Sequence, residues 1–214
     1  MITTLAVDTS TVVAAGVAVS GRIVASARVD DTRAHAEELM PLVQRVVAEA
    51  GITLADVQRI VAGVGPGPFT GLRVGVVTAL TLGEALEVPV SGACSLDAVA
   101  AAWASAGAPE EFLVVSDARR KEVFWARYDG GGHRLSGPAV SAPDTLPPLP
   151  LAGPGAHLVG EVVGPVDLDA GWLAAGDLPD AGLEPLYLRR PDAEVPTRVK
   201  SALPQPRLAL RRTK

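Results

Sequence analysis

Hydrophobic runs and polar breaks divide the first hundred residues into a regular series. Residues 2–7 are almost wholly apolar, the pattern of a strand buried on both faces, and the run stops at Asp8-Thr9-Ser10. A second apolar run covers residues 12–19. Ser20-Gly21 then marks a hairpin into residues 22–29, where Ile23, Ala25, Ala27 and Val29 alternate with other side chains. From there the period lengthens to three and four. Leu39, Met40, Val43, Val46, Val47 and Ala50 predict a helix that Thr32 opens as a cap and Gly51 ends. Pro41 falls inside it and predicts a kink or the start of its regular part. Residues 58–64 then read as a strand, 70–86 as a helix, 89–91 as a short strand and 96–106 as a helix.

That order, β-β-β-α-β-α, opens the ribonuclease-H-like and actin-like ATPase folds, and it makes the chain an α/β protein. A boundary is expected near Gly107-Ala108-Pro109. It divides an N-terminal actin-like subdomain, 1–107, from a degenerate C-terminal one of the same βββαβα type, 108–196. In the latter, residues 112–116 and 122–128 read as strands about a turn at 117–121. Residues 138–154 are rich in proline and are expected to run extended over the surface. No internal repeat is visible. Residues 197–214 carry Arg198, Lys200, Arg207, Arg211, Arg212 and Lys214 with two prolines, and read as a basic, solvated, flexible tail.

Composition narrows the functions. The 214 residues suffice for a sizeable core, and with aromatics at 4% it must be filled by Ala, Val, Leu and Gly. A formal charge of −5 argues against a primary nucleic-acid binder, so any RNA contact is local or supplied by a partner. Cys94 is the only cysteine. It excludes an internal disulfide and a metal-binding Cys pair, and it points to a reducing compartment. The N-terminus lacks the basic start of a signal peptide, and no uncharged apolar stretch reaches membrane-spanning length. The expectation is a soluble, cytoplasmic protein.

Candidate chemistry gathers at two strand ends. Strands that close in small, hydrogen-bonding or glycine residues are where nucleotide-handling folds place phosphates. Asp8, Thr9 and Ser10 end the first strand, and the loop from Gly65 through Gly67, Thr70 and Gly71 follows the fourth. Together they form a candidate, vestigial nucleotide site. Asp8 either helps position Mg²⁺ or initiates the turn by accepting backbone N–H groups. The glycine loop either receives phosphate, with Thr70 capping the helix behind it, or is a tight strand-to-helix connection. It is not a Walker loop, because no Gly-Lys-Ser/Thr follows. The only histidines, His35, His133 and His157, form no pair one helical turn apart, so no metal site and no catalytic residue is expected. Arg119, Arg120 and Lys121 make a compact basic turn. The two long helices carry more apolar surface than one sheet-facing side needs. Leu39, Met40, Val43, Val46 and Val47 of the first and Val76, Val77 and Leu80 of the second are the candidate face for another subunit.

Four segments together resemble the TsaB (YeaZ) family. They are Leu5-Ala6-Val7-Asp8-Thr9-Ser10, the loop from Gly65 to Arg73, Asp117-Ala118-Arg119-Arg120-Lys121-Glu122-Val123-Phe124, and Pro185-Leu186-Tyr187-Leu188-Arg189. They span about residues 1–190 in the family's order, and leave the proline-rich stretch and the tail unexplained. The resemblance implies a non-catalytic paralogue of the TsaD transferase, with a place beside TsaD and the ATPase TsaE. That assembly makes threonylcarbamoyladenosine at adenosine 37 of tRNA. It further implies a heterodimer with TsaD, a homodimer when TsaD is absent, tRNA contact only through the complex, and no cofactor of its own. TsaD carries an H-x-x-x-H metal site, and Ser95 and Val99 stand at the two histidine places here. Neither replaces an imidazole. The alternative is a stand-alone nucleotide-dependent transferase or kinase of the actin-like fold.

Overall fold

The structure, a computed structural model, describes residues 1–30 and 35–189. Its first sheet contains β1 (Thr3–Asp8), β2 (Val13–Val19), β3 (Arg22–Val29), β4 (Arg59–Gly63) and β5 (Val90–Ala93), in the order β3-β2-β1-β4-β5. The first three strands are antiparallel, and β4 and β5 join parallel to β1. Connection length decides this. Ser20-Gly21 is a two-residue turn with φ of 50° and 77°, whose left-handed backbone suits a hairpin. The parallel strands need crossovers, and α1 (His35–Glu49) and α2 (Phe69–Leu86) supply them. Thr32, the predicted cap of α1, lies outside the described residues.

Alternation along the strands divides the core in two. Leu5 and Val7 point to α1 and α2, whereas Ala6 points to α3 (Ser95–Ala106). A short helix from far along the chain, α4 (Ala170–Ala175), shares this second face and packs across β1, β2 and β3. It approaches so closely that a Cβ on Gly16 of β2 would overlap the backbone of Gly171.

The apolar faces expected to meet a partner are mostly core. Leu39, Val43, Val46 and Val47 of α1 and Val76 of α2 are at most 5% exposed, and Met40 is half-buried against the same cluster. The cause is position. α1 touches β2, β3 and α2, so it is buried on two sides and needs a wider apolar arc than a helix lying on a sheet alone. Val77 and Leu80 differ: they are 59% and 43% exposed. Among the described residues α2 is the one helix long and apolar enough to cross a membrane, yet its Val76, Ala79, Leu82 side is buried against the first sheet.

The second sheet contains β6 (Glu111–Asp117), β7 (Val123–Asp129), β8 (Arg134–Ser141) and β9 (Leu151–Ala152), ordered β8-β7-β6-β9, with β9 parallel to β6. This repeats the arrangement β3-β2-β1-β4 of the first. Single 3-10 turns at Pro143–Thr145 and Ala156–Leu158 stand where α1 and α2 stand in the first half, so the fold is actin-like with a degenerate second unit. The proline-rich stretch is therefore not simply surface. It supplies the end of β8 and all of β9, whose Leu151 and Ala152 are buried beside β6. One core cluster includes residues on both sides of Gly107, joining Ala6, Trp103, Phe112, Tyr128 and Leu173. Within it the Trp103–Phe112 and Phe112–Tyr128 ring centroids lie 4.6 and 5.6 Å apart.

A local repeat also emerges. β1 and β6 both end in aspartate, and each carboxylate accepts the N–H two residues on: Ser10 N to Asp8 Oδ1 at 2.7 Å, and Arg119 N to Asp117 Oδ1 at 2.6 Å. The parallel neighbours β4 and β9 lead into Gly65-Pro66-Gly67 and Gly153-Pro154-Gly155, with φ of 96° at Gly65 and 99° at Gly153. A Cβ on Gly67 would collide with Ser10, and one on Gly155 with the Ser116–Asp117 backbone.

Candidate functional site

The residues of the candidate nucleotide site do meet, apart from one, and they bond to each other. Asp8 is fully buried. Its Oδ1 accepts from the Ser10 backbone N–H and from Ser10 Oγ at 2.6 Å, and its Oδ2 accepts from Ser95 Oγ at the start of α3. Ser95 Oγ in turn accepts the Gly65 N–H at 3.0 Å. Thr9 Oγ1 donates to the Gly71 carbonyl at 2.7 Å and accepts the Gly75 N–H at 3.0 Å. Ser10 closes over Gly67. Thr70 is the exception. It is exposed, and α2 begins at Phe69 behind Pro68 without any side-chain cap. The carboxylate and loop groups that a Mg²⁺-phosphate would use thus tie β1 to α2 and α3, and the turn reading of Asp8 describes its geometry.

The metal places expected from TsaD do not fit an ion. Ser95 Oγ is bonded on both sides as just described, and Val99 is buried and has no donor atom. Among the described residues no three His, Cys, Asp or Glu side chains converge on a common point. His133 is exposed and sits 3.2 Å from Asp129.

A buried polar cluster that sequence reasoning did not foresee joins α3 to the second sheet. Tyr128 OH donates to Asp97 Oδ1 at 2.7 Å, and Arg134 Nη2 lies 3.5 Å from Asp97 Oδ2. Burial raises the Asp97 carboxyl above its ordinary value and holds the Tyr128 phenol well above its own. Burial first, then the Asp97 charge, pushes the Cys94 thiol up to about 12. Cys94 therefore stays a thiol at neutral pH and is no nucleophile. Only the three-dimensional meeting of α3, β7 and β8 creates this cluster, so no sequence spacing signals it.

The turn between β6 and β7 is open where the first is closed. Arg119, Arg120 and Lys121 stand in succession at φ of 63°, 55° and 63°, a left-handed backbone that costs roughly 1–2 kcal/mol per non-glycine residue. Arg189 holds the turn by donating to the Arg119 carbonyl at 3.2 Å and pairing with Glu122. Beside it lies a cavity of about 460 Å³ between the glycine loop, the turn and residues 187–189. Against two of its lining residues, Arg73 lies 3.9 Å over the Phe69 ring and donates to Tyr187 OH at 3.0 Å, while the Phe69 and Tyr187 rings are 4.8 Å apart. The signal for this site in the sequence was the basic triplet; the contribution of residues 187–189 depends on the chain's return across the molecule.

The comparisons agree with this architecture. A family model described as "TsaD: tRNA N6-adenosine threonylcarbamoyltransferase" matches residues 27–159. An uncharacterised protein of Mycobacterium tuberculosis is 46% identical over 204 residues, covering 90% of this chain and 94% of that one. The tRNA threonylcarbamoyladenosine biosynthesis protein TsaB of Escherichia coli is 38% identical over 97 residues, 45% of this chain and 42% of its own. The solved structure of YeaZ from Pseudomonas aeruginosa superposes with a TM-score of 0.69 at 28% identity, over 82% of this chain and 91% of that one. With its actin-like first sheet, its degenerate second sheet and these relatives, the chain belongs to the TsaB (YeaZ) family.

Proposed function

We propose that this protein takes part in tRNA threonylcarbamoyladenosine biosynthesis as a non-catalytic subunit that binds and supports a TsaD-type transferase, together with a TsaE-type ATPase. The observation that carries the reading is the fate of Ser95 and Val99. At the two places where TsaD has metal-binding histidines, one side chain is engaged with Asp8 and Gly65 and the other is aliphatic core. The polar groups of the ancestral nucleotide site are likewise spent on holding the fold.

The docking face is narrower than the sequence suggested. Phe69, Arg73, Val77 and Leu80 recur at four, four and three residues, forming one stripe along α2. Phe69, Val77 and Leu80 are large apolar side chains left in water. The outer side of α1, with Gln44, Arg45 and Glu49, is polar by comparison. The stripe of α2 serves both the heterodimer with the transferase and a homodimer in its absence.

Size-exclusion chromatography with light scattering, on this protein alone and mixed with its TsaD counterpart, tests the proposal. The expected outcome is a homodimer that gives way to a heterodimer, with both lost in Leu80→Glu while the fold is kept. Charging an apolar interface without a partner costs several kcal/mol, on the order of 3. Val43→Glu does not serve as the interface probe, because Val43 is fully buried and its replacement unfolds the monomer. A protein that stays monomeric and ignores TsaD would falsify the reading.

A further inference from the structure

The cavity beside the β6–β7 turn shares Phe69 and Arg73 with the N-terminal end of the α2 stripe, and the rest of its lining, outside that stripe, is specific enough to name an occupant by its chemistry. Its walls are apolar: Phe69, Phe124, Tyr187 and Leu188, with Pro68 and Ala118 between them. Its surroundings are cationic. Arg73, Arg119 and Arg189 stand about it, and Arg120 and Lys121 line the adjoining cavity of about 440 Å³; Arg119 pairs with Asp117 at 3.1 Å and Arg189 with Glu122, so five cations face two carboxylates. This excess of positive charge occurs in a chain whose formal charge is −5. The sign of the surface is inverted at one concave, aromatic-lined place.

We propose that this cavity docks an acidic peptide segment of a protein partner. One aromatic or large aliphatic side chain seats among Phe69, Phe124, Tyr187 and Leu188, and flanking carboxylates face Arg119 and Lys121. The pattern is an apolar anchor with a charged rim, in which the anchor supplies affinity and the rim supplies orientation and encounter rate. A polynucleotide is the poorer occupant. Beyond these few cations its phosphates would run onto a net acidic protein, whereas a short peptide ends within the basic rim. The chain's own residues 190–214 carry seven Lys or Arg against Asp192 and Glu194, a net charge of the same sign as the rim.

The test is fluorescence anisotropy of the full chain with the labelled peptide Asp-Glu-Glu-Phe-Leu-Glu-Asp. Its controls are the same peptide with Phe replaced by Ser, one with Lys at every acidic position, and an anticodon stem-loop RNA. The expected result is saturable binding of the acidic peptide, weakened at least tenfold by the Ser peptide and by Arg119→Glu with Lys121→Glu. Binding also weakens severalfold between 50 and 300 mM salt, as exposed charge pairs are screened. Arg119 and Lys121 are exposed, so an unchanged melting temperature is expected; if the pair fails to fold, Lys121→Glu alone gives the comparison. No saturable peptide binding, binding indifferent to the variants, or preferential RNA binding that the peptide does not displace each overturns the proposal. Arg119 and Lys121 lie outside the α2 stripe, so light scattering on the same samples separates a loss of peptide binding from a change in dimer formation.

Discussion

The two halves of the molecule carry the same device and put it to opposite use. In each, a first strand ends in an aspartate whose carboxylate accepts the N–H two residues on, and a parallel neighbour leads into Gly-Pro-Gly. In the first half the glycine triplet feeds an 18-residue helix, and Asp8 is sealed beneath it by Ser10 and Ser95. In the second half the triplet feeds a three-residue 3-10 turn, nothing covers Asp117 to the same extent, and the turn above it is basic and left-handed. An inherited turn becomes a structural latch where a helix roofs it, and remains an exposed feature where the roof is missing.

The largest effect that separates the two turns is removal of their acids. Asp8→Ala strands the buried donors of Ser10 and Ser95, each costing about 1–3 kcal/mol, so a loss of about 3 kcal/mol or more is expected in urea unfolding. Asp117→Ala, at a solvated turn, loses at most about 1 kcal/mol. Equal losses break the comparison. A smaller effect reports on the seam between the halves. Burial raises the Asp97 carboxyl above 3.8, so the folded chain holds this proton to higher pH than the unfolded one. Its contribution to stability is therefore present at low pH and is lost as pH rises through 3.8 towards the folded value. Relative to Asp97→Asn, the wild type loses urea resistance as pH climbs through that window; a pH-independent difference contradicts the assignment. The smallest effect is Lys121→Gly, which relieves one left-handed residue and stabilises by up to about 1 kcal/mol, read from the same urea midpoints. A destabilised Lys121→Gly means that the side chain itself holds the turn.

Much of the first sheet was legible because its signals are local. The alternation of Ile23, Ala25, Ala27 and Val29, the Ser20-Gly21 hairpin and the helical spacing of Val43, Val46 and Val47 each lie within a few residues. The second half resisted. β9 is two residues long inside a proline-rich stretch, and its identity depends on pairing with Leu113 and Val114, which no local pattern reports. The Gly-Pro-Gly repeat is too short to register as a repeat until the strands align it. The site divided in the same way. Asp8 and the glycine loop were found, but that their hydrogen bonds close upon each other follows from Ser95, thirty residues beyond Gly65. The exposed face was misjudged because apolar periodicity shows which side of a helix avoids water, and cannot count how many neighbours surround it.

The placement of α4 has a consequence for the order in which the molecule is made. The face of the first sheet that carries Ala6, Ala14 and Ala18 is finished only by Leu173 and its neighbours. Residues 170–175 must therefore be synthesised before the earliest strands are fully covered. At about 5–20 residues per second, the stretch between α3 and α4 takes on the order of several seconds. During that interval the nascent sheet has one apolar side covered only in part, by α3, the kind of transiently exposed surface on which chaperones act.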